Sequence, residues 1–242
     1  MCSTLTYTAT KRGGPEQVKN LNRLRVRLRP EEMSRVKSPS QLLTEEEVIK
    51  MLGACERAKT PLRAKRDRAL IGLLYEGGLR IGELLSLKVG DCIPTDYGFK
   101  VYVTRSKTNR RAVPVIGTSK YLAEWLSVHP LREDRDAPLF VTVYGGHKPM
   151  SEMALRSVIT EVARKAGIKK RVYPHLFRHS RMTKLAGCVT EAYLRRLAGW
   201  TKNSYMPAIY IHLSERDVER EVLRIYGLEE KAEEKILLRE YV

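Results

Sequence analysis

Residues 173–180 read YPHLFRHS and place His175, Arg178 and His179 within five positions. Two chemistries fit. His175 and His179 are four apart, the spacing of a helical pair that binds a divalent metal. His175 and Arg178 are three apart, which also places them on one helix face, and an imidazole beside a guanidinium can bind and protonate a phosphate. The metal alternative needs further ligands. A helical zinc protease motif has Glu directly after the first His and acting as base, whereas Leu176 stands here. No His, Asp or Cys cluster follows at ligand spacing, and His212 is isolated. His179 itself reads as a core or capping residue.

The phosphate alternative needs more parts. Arginine's planar fork matches the non-bridging oxygens of a phosphodiester and stays charged at any relevant pH. No G-x-x-x-x-G-K-[ST] loop is present, so an NTP site is not indicated. Without a metal, the nucleophile must be a side chain, sought downstream on a helix of its own. The stretch AGWTKNSYMPAIYIHL, 198–213, offers Tyr205 and Tyr210.

The charge favours a polyanion. The 242 residues carry 45 Lys+Arg against 28 Asp+Glu, a formal net charge of +17, which points to nucleic acid. RSKTNRR, 105–111, has four bases and no acid, and 162–184 has eight bases and no acid. Residues 215–242 reverse the sign, with nine acids against six bases, so that end is expected to touch protein and avoid DNA. No apolar run approaches the roughly 18 residues of a membrane span. No secretory signal opens the chain, and a cytoplasmic location is expected. Cys2, Cys55, Cys92 and Cys188 form no C-x-x-C and read as scattered reduced thiols.

Elements must position these residues. In 1–40, NRLRVRLR alternates Arg23, Arg25, Arg27 and Arg29 with Leu24, Val26 and Leu28, an extended basic arm or linker. The folded body begins at LTEEEVIKML. There Thr44 and Glu47 form a capping box, and Val48, Leu52 and Cys55 share an apolar face. A second helix is predicted over 66–76, stopped by Gly77-Gly78, with Arg80 at the start of the next. GFKVYVTR and RAVPVI alternate around SKTN as a hairpin. Helices are predicted over 149–167, around His175 and over 190–199. In the acidic tail, Ser214 caps a helix bearing Val218, Val222, Ile225 and Tyr226. No internal repeat is found. The expected fold is mainly α with a small antiparallel β-sheet, the catalytic body at 41–213 and an acidic helical tail at 214–242.

These segments together carry a resemblance. YEGGLRIGELLSLKVGD resembles the first arginine box of the tyrosine recombinase (phage integrase/Xer) family, and RSKTNRRAVPV its β-hairpin with a catalytic lysine. PHLFRHSRMTKLAG resembles its H-x-x-R box, and LAGWTKNSYMPAIYIHL its terminal His/Trp-and-Tyr segment. The boxes occur in family order over about residues 40–227. The resemblance implies a DNA strand-transfer enzyme that needs no metal, ATP or other cofactor. Arg80 and Arg178 are then the phosphate clamp, Lys107 the proton donor to the leaving 5′-oxygen, and His175 an acid/base assistant. Tyr210, 32 residues after Arg178, is the implied nucleophile, and Glu83 a brace near the first arginine. Trp200 stands where the family usually has His, though some branches carry Trp, and is expected to contact phosphate or pack the nucleophile. Tyr205 is expected to pack or touch phosphate. Arg105, Arg110, Arg111 and Arg181 are expected to contact DNA. Double-stranded DNA is the implied partner, with a homotetramer on synapsed DNA assembled through the tail. Members typically add an N-terminal helical core-binding domain, for which residues 1–40 are too few. A regulatory DNA-binding remnant and a type IB topoisomerase-like nicking enzyme are the competing functions.

Overall fold

The computed structural model describes residues 39–106 and 109–213. The arginine arm, the acidic tail and Lys107 therefore lie outside the described residues. Among the described residues no helix is long and apolar enough to cross a membrane.

The organising element is the helix over Pro61–Gly77, here α2, which follows α1 (Glu45–Ala54). It starts earlier than the predicted 66, because Thr60 accepts from Arg63 N and Pro61 fits the first helical position. Leu70, Ile71, Leu73 and Leu74 are all buried, because the helix is covered on most of its circumference. It packs against α1, against α4 (Ser119–Val128), and against α6 (Pro174–Ala186). A helix so enclosed must pair its charges. Arg66 donates twice to Asp67 Oδ1, at 2.9 and 2.7 Å, and once to Val141 O at 3.1 Å. Burial raises the Asp67 carboxyl, against the pull of Arg66 and Arg63.

The predicted capping box of α1 is present, with Thr44 and Glu47 each accepting from the other's backbone. A short helix α3 spans Ile81–Leu85 behind Arg80. Strands β1 (Cys92–Thr95), β2 (Gly98–Val103) and β3 (Arg111–Val115) form one antiparallel sheet in the order β1-β2-β3. The hairpin register pairs Val101 with Val113 and Val103 with Arg111. Val101, Val103, Val113 and Val115 are buried while Lys100, Tyr102 and Pro114 face out, as period-2 alternation requires. Strand β1 and helix α4 stand beyond the elements that local sequence patterns predict.

Helix α4 owes its start to α2. Its own N-cap, Thr118, makes no side-chain cap. Instead Glu76 accepts from the backbone N–H groups of Ile116, Gly117 and Thr118, at 2.7, 2.8 and 2.8 Å, and from Thr118 Oγ1 at 2.7 Å. Burial pushes this carboxyl up, yet those donors outweigh it and hold the group below the usual range. Each such charge-assisted bond contributes on the order of 1.5–3 kcal/mol.

Helices α5 (Glu152–Lys165), α6, α7 (Glu191–Ala198) and α8 (Met206–Leu213) complete the described fold. The main core runs from Leu43 to Phe177. A smaller second core joins α6, α7 and α8 through Met182, Ala186, Leu194, Ala198, Trp200 and Tyr210.

Candidate active site

Two helix ends make the floor of the site. Gly78 closes α2 at φ 55° and Gly199 closes α7 at φ 66°, both left-handed. A Cβ at Gly78 would lie 2.5 Å from Met182 Cε, and one at Gly199 2.7 Å from an Arg111 nitrogen. Each glycine turn directs a carbonyl at Arg178. One terminal nitrogen of Arg178 donates to Gly78 O and the other to Ala198 O, both at 2.7 Å. The guanidinium is 2% exposed. Burial and the neighbouring Arg80 lower its pKa to about 10, so it stays charged at neutral pH.

Arg80 stands at the mouth as the N-cap residue of α3, its side chain 28% exposed. It donates to Glu83 Oε1 at 2.8 Å and reaches Ala198 O at 3.5 Å. Glu83 gathers the surroundings. It accepts from Arg80 N at 2.9 Å, from Ser106 Oγ at 2.8 Å, and bidentately from Arg111 at 3.0 and 2.8 Å. Burial alone would raise this carboxyl, but Arg111 leads the groups that hold it at about 2.

Arg111 therefore corrects an expectation. It was placed among the DNA-contacting bases, but its side chain is 3% exposed, locked on Glu83 and on Leu197 O at 2.7 Å. The alternation of β3 explains this: residue 111 lies on the same face as buried Val113 and Val115. Arg105 and Arg110 are exposed. Arg181 is half-buried, its Nε donating to Glu76 O at 3.1 Å and its guanidinium 5.8 Å from the Tyr75 ring. The chain on both sides of Lys107 is tied into the site, by Ser106 on Glu83 and by Asn109 donating to Trp200 O at 3.1 Å.

The tyrosine lies in the second core. Tyr210, on α8, is 1% exposed and stacks on Trp200 at 5.3 Å with 16° between planes. Arg178 sits 5.6 Å from the same indole. Burial pushes the Tyr210 hydroxyl up to about 12, with Arg178 and Arg80 pulling the other way. Tyr205 is 40% exposed. His175 is exposed at its edge, and partial desolvation together with Arg178 and Arg80 shifts its pKa below the usual imidazole value.

One residue was missed. His179, expected to be core or capping, has Nδ1 2.7 Å from Tyr210 Oη. Its ring also meets His175 edge-on at 4.4 Å and 84°. The available signal was the four-residue spacing from His175, which was weighed only as a metal pair. Among the described residues no group of three or more His, Cys, Asp or Glu is gathered around one point.

The chain is similar to several known proteins. The sequence profile of the phage integrase family matches residues 41–217. Transposase A from transposon Tn554 of Staphylococcus aureus is 27% identical over 215 residues, covering 84% of this chain and 55% of that protein. Tyrosine recombinase XerC of Xylella fastidiosa is 38% identical over 122 residues, 50% of this chain and 39% of that protein. The chain thus spans about half or less of the length of these curated relatives. XerA recombinase shares the fold at a TM-score of 0.60 and 24% identity, over 86% of this chain and 70% of its own. XerH site-specific recombinase in its post-cleavage complex does so at 0.63 and 20%, over 81% and 55%.

The Glu83–Arg111 pair yields a stability prediction. Arg111→Ala leaves a buried carboxylate without its main partner, which costs about 3 kcal/mol. Because the folded Glu83 value lies below its ordinary 4.5, the group stabilises the fold above pH 4.5 and loses that contribution as pH falls toward 2. Urea unfolding at pH 7 is expected to show the loss, and the stability gained between pH 2 and 4.5 is expected to shrink. A variant as stable as the parent but weaker on DNA would restore Arg111 as a DNA contact.

Proposed function

This chain belongs to the phage integrase family, and we propose that it is a site-specific recombinase that cuts and rejoins DNA through a 3′-phosphotyrosine on Tyr210, without metal or ATP. The observation that carries this reading is the convergence of Arg80, of His175 and Arg178 on α6, and of Tyr210 on α8, three separate segments, around one pair of helix C-termini.

The parts fit phosphoryl transfer. Arginine has five N–H donors. Arg178 commits two to carbonyls, and Arg80 commits one terminal nitrogen to Glu83 and Ala198. The remaining donors suit the non-bridging oxygens of a phosphodiester, where charge grows in the transition state. Glu83 braces Arg80 and takes no part in bond making. His175, held below its usual pKa, assists proton transfer. Trp200 packs the nucleophile's ring. Lys107 donates a proton to the departing 5′-oxygen, a role supported by the anchoring of Ser106 and Asn109 beside it. The phosphotyrosine stores the bond energy, so rejoining needs only a 5′-hydroxyl.

Double-stranded DNA is the partner, bound by a chain of net charge +17, with exposed Arg105 and Arg110 and half-buried Arg181 contributing backbone contacts. A DNA substrate places its work in the cytoplasm. Relatives of this fold include a lambda integrase tetramer bound to a Holliday junction, which supports a tetramer on synapsed DNA. The acidic segment 214–242 joins the subunits.

The direct test uses a nicked suicide duplex carrying a site that the protein enriches from a random library. Tyr210→Phe is expected to give no covalent adduct while DNA affinity stays within about twofold, since phosphate contacts dominate binding. Tyr205→Phe is expected to cleave. Exchanged phenotypes would make Tyr205 the nucleophile.

Lys107 has its own signature. Lys107→Ala is expected to slow cleavage roughly 10²–10⁴-fold. A substrate with sulfur at the bridging 5′ position, whose leaving group needs no proton, is expected to rescue it but not Arg178→Ala. Absence of rescue removes the acid role.

The tail is tested by deletion of 214–242. Single-site DNA binding is expected to persist, while cooperative binding to a two-site duplex in gel shifts is lost. Unchanged cooperativity would confine the tail to its own subunit.

A further inference from the structure

We infer that His179 is the base that receives the Tyr210 proton during strand cleavage, a catalytic role that rests on the nucleophile assignment above. The geometry is direct. Tyr210 Oη and His179 Nδ1 are 2.7 Å apart, within the range for a strong hydrogen bond from a hydroxyl. A phenol is the better donor and a neutral imidazole the better acceptor. The pair therefore reads as O–H donating to a bare Nδ1, with the ring proton on Nε2. His179 is built on α6 one residue after Arg178. The same turn of helix fixes the phosphate clamp and the base, and the edge contact of His175 at 4.4 Å limits the ring's rotation.

The chemistry calls for such a group. Burial holds the Tyr210 hydroxyl at about 12 despite two nearby arginines. At pH 7 only about one molecule in 10⁵ would carry phenolate unaided. A tyrosine in this environment attacks only if its proton leaves as the bond to phosphorus forms. His175 is the poorer choice. Its ring meets the edge of His179, and the bond to Oη comes from His179.

The step balances. Oη attacks phosphorus and its proton passes to Nδ1, giving an imidazolium. The bond from phosphorus to the 5′-oxygen breaks, and that oxygen departs with a proton from Lys107. In rejoining, the 5′-hydroxyl attacks phosphorus and returns its proton to Lys107. Oη leaves as phenolate and recovers its proton from His179. Over the cycle no proton is gained or lost.

The test compares His179→Asn and His179→Ala on the suicide duplex in single-turnover cleavage. The asparagine amide can accept a hydrogen bond near the Nδ1 position but takes no proton. Both variants are expected to bind DNA within about twofold of the parent and to cleave roughly 10²–10⁴-fold more slowly. Added imidazole is expected to speed His179→Ala. Cleavage by His179→Asn at the parent rate would overturn the inference, since a hydrogen bond alone would then suffice. A slow His179→Ala that imidazole leaves slow would overturn it as well. Either result, with the parent chain forming its adduct and Tyr210→Phe forming none, leaves the recombinase reading standing. A parent chain that forms no adduct would instead strike at that reading itself.

Discussion

A buried guanidinium is the constraint on which the described fold turns. Arg178 is 2% exposed, and both its terminal nitrogens donate to main-chain carbonyls. Placing a full charge in an apolar interior costs several kcal/mol unless it is compensated. Compensation comes from the carboxyl ends of α2 and α7, each carrying roughly half a negative charge. A charge met by dipoles is stabilised in place yet not neutralised by a counter-ion of its own, and it keeps its attraction for an anion. Arg80 and Arg111 add two more positive charges, and Glu83 is the carboxylate they share. The excess of cation over anion is built into the backbone.

That arrangement dictates local sequence at distant points. The two carbonyls face Arg178 because Gly78 and Gly199 take left-handed turns that a side chain would both strain and obstruct. The position of α2 is in turn fixed by its buried surface and by Glu76, which starts α4 forty residues further on. The hairpin contributes its inward arginine through its register, since Val103 pairs with Arg111 and both are buried. Stability and site are therefore served by the same bonds. The Glu83–Arg111 pair supports the core, and it also supplies the surface against which Arg80 is held.

How much of this was legible follows from where each cause lies. The α1 capping box, the glycine stop of α2 and the alternation of the hairpin are local, and local signals carried them. The four boxes, and the candidates Arg80, Arg178 and Tyr210, followed from residue type, order and the family resemblance. Helix α4 was not legible because its cap comes from Glu76, a residue remote in sequence. Arg111 was misjudged because a run of bases was treated as one exposed block, although the strand period already turned that residue inward. His179 escaped because the spacing that aligns it with His175 says nothing of a tyrosine 31 residues later. Only the packing of α6 against α8 brings them together.

Tyr210 is anchored by the smaller core of α6, α7 and α8, not by the large cluster around α2. Beside the Tyr210 bond to His179 on α6, polar ties to the rest also run through the end of α7. Leu197 O accepts from Arg111, Ala198 O from Arg178 and Arg80, and Trp200 O from Asn109. Trp200 then carries the tyrosine ring on its face. The Ala198 carbonyl that holds Arg178 and Arg80 thus lies two residues from the indole that stacks on Tyr210. Arg178 and Arg80 keep donors that these carbonyls do not use, so an anion can bind them while the last turn of α7 stays in place. A small apolar cluster yields more readily than a large one. The end of α7 therefore ties that smaller cluster to Arg178 and Arg80 through Ala198 O.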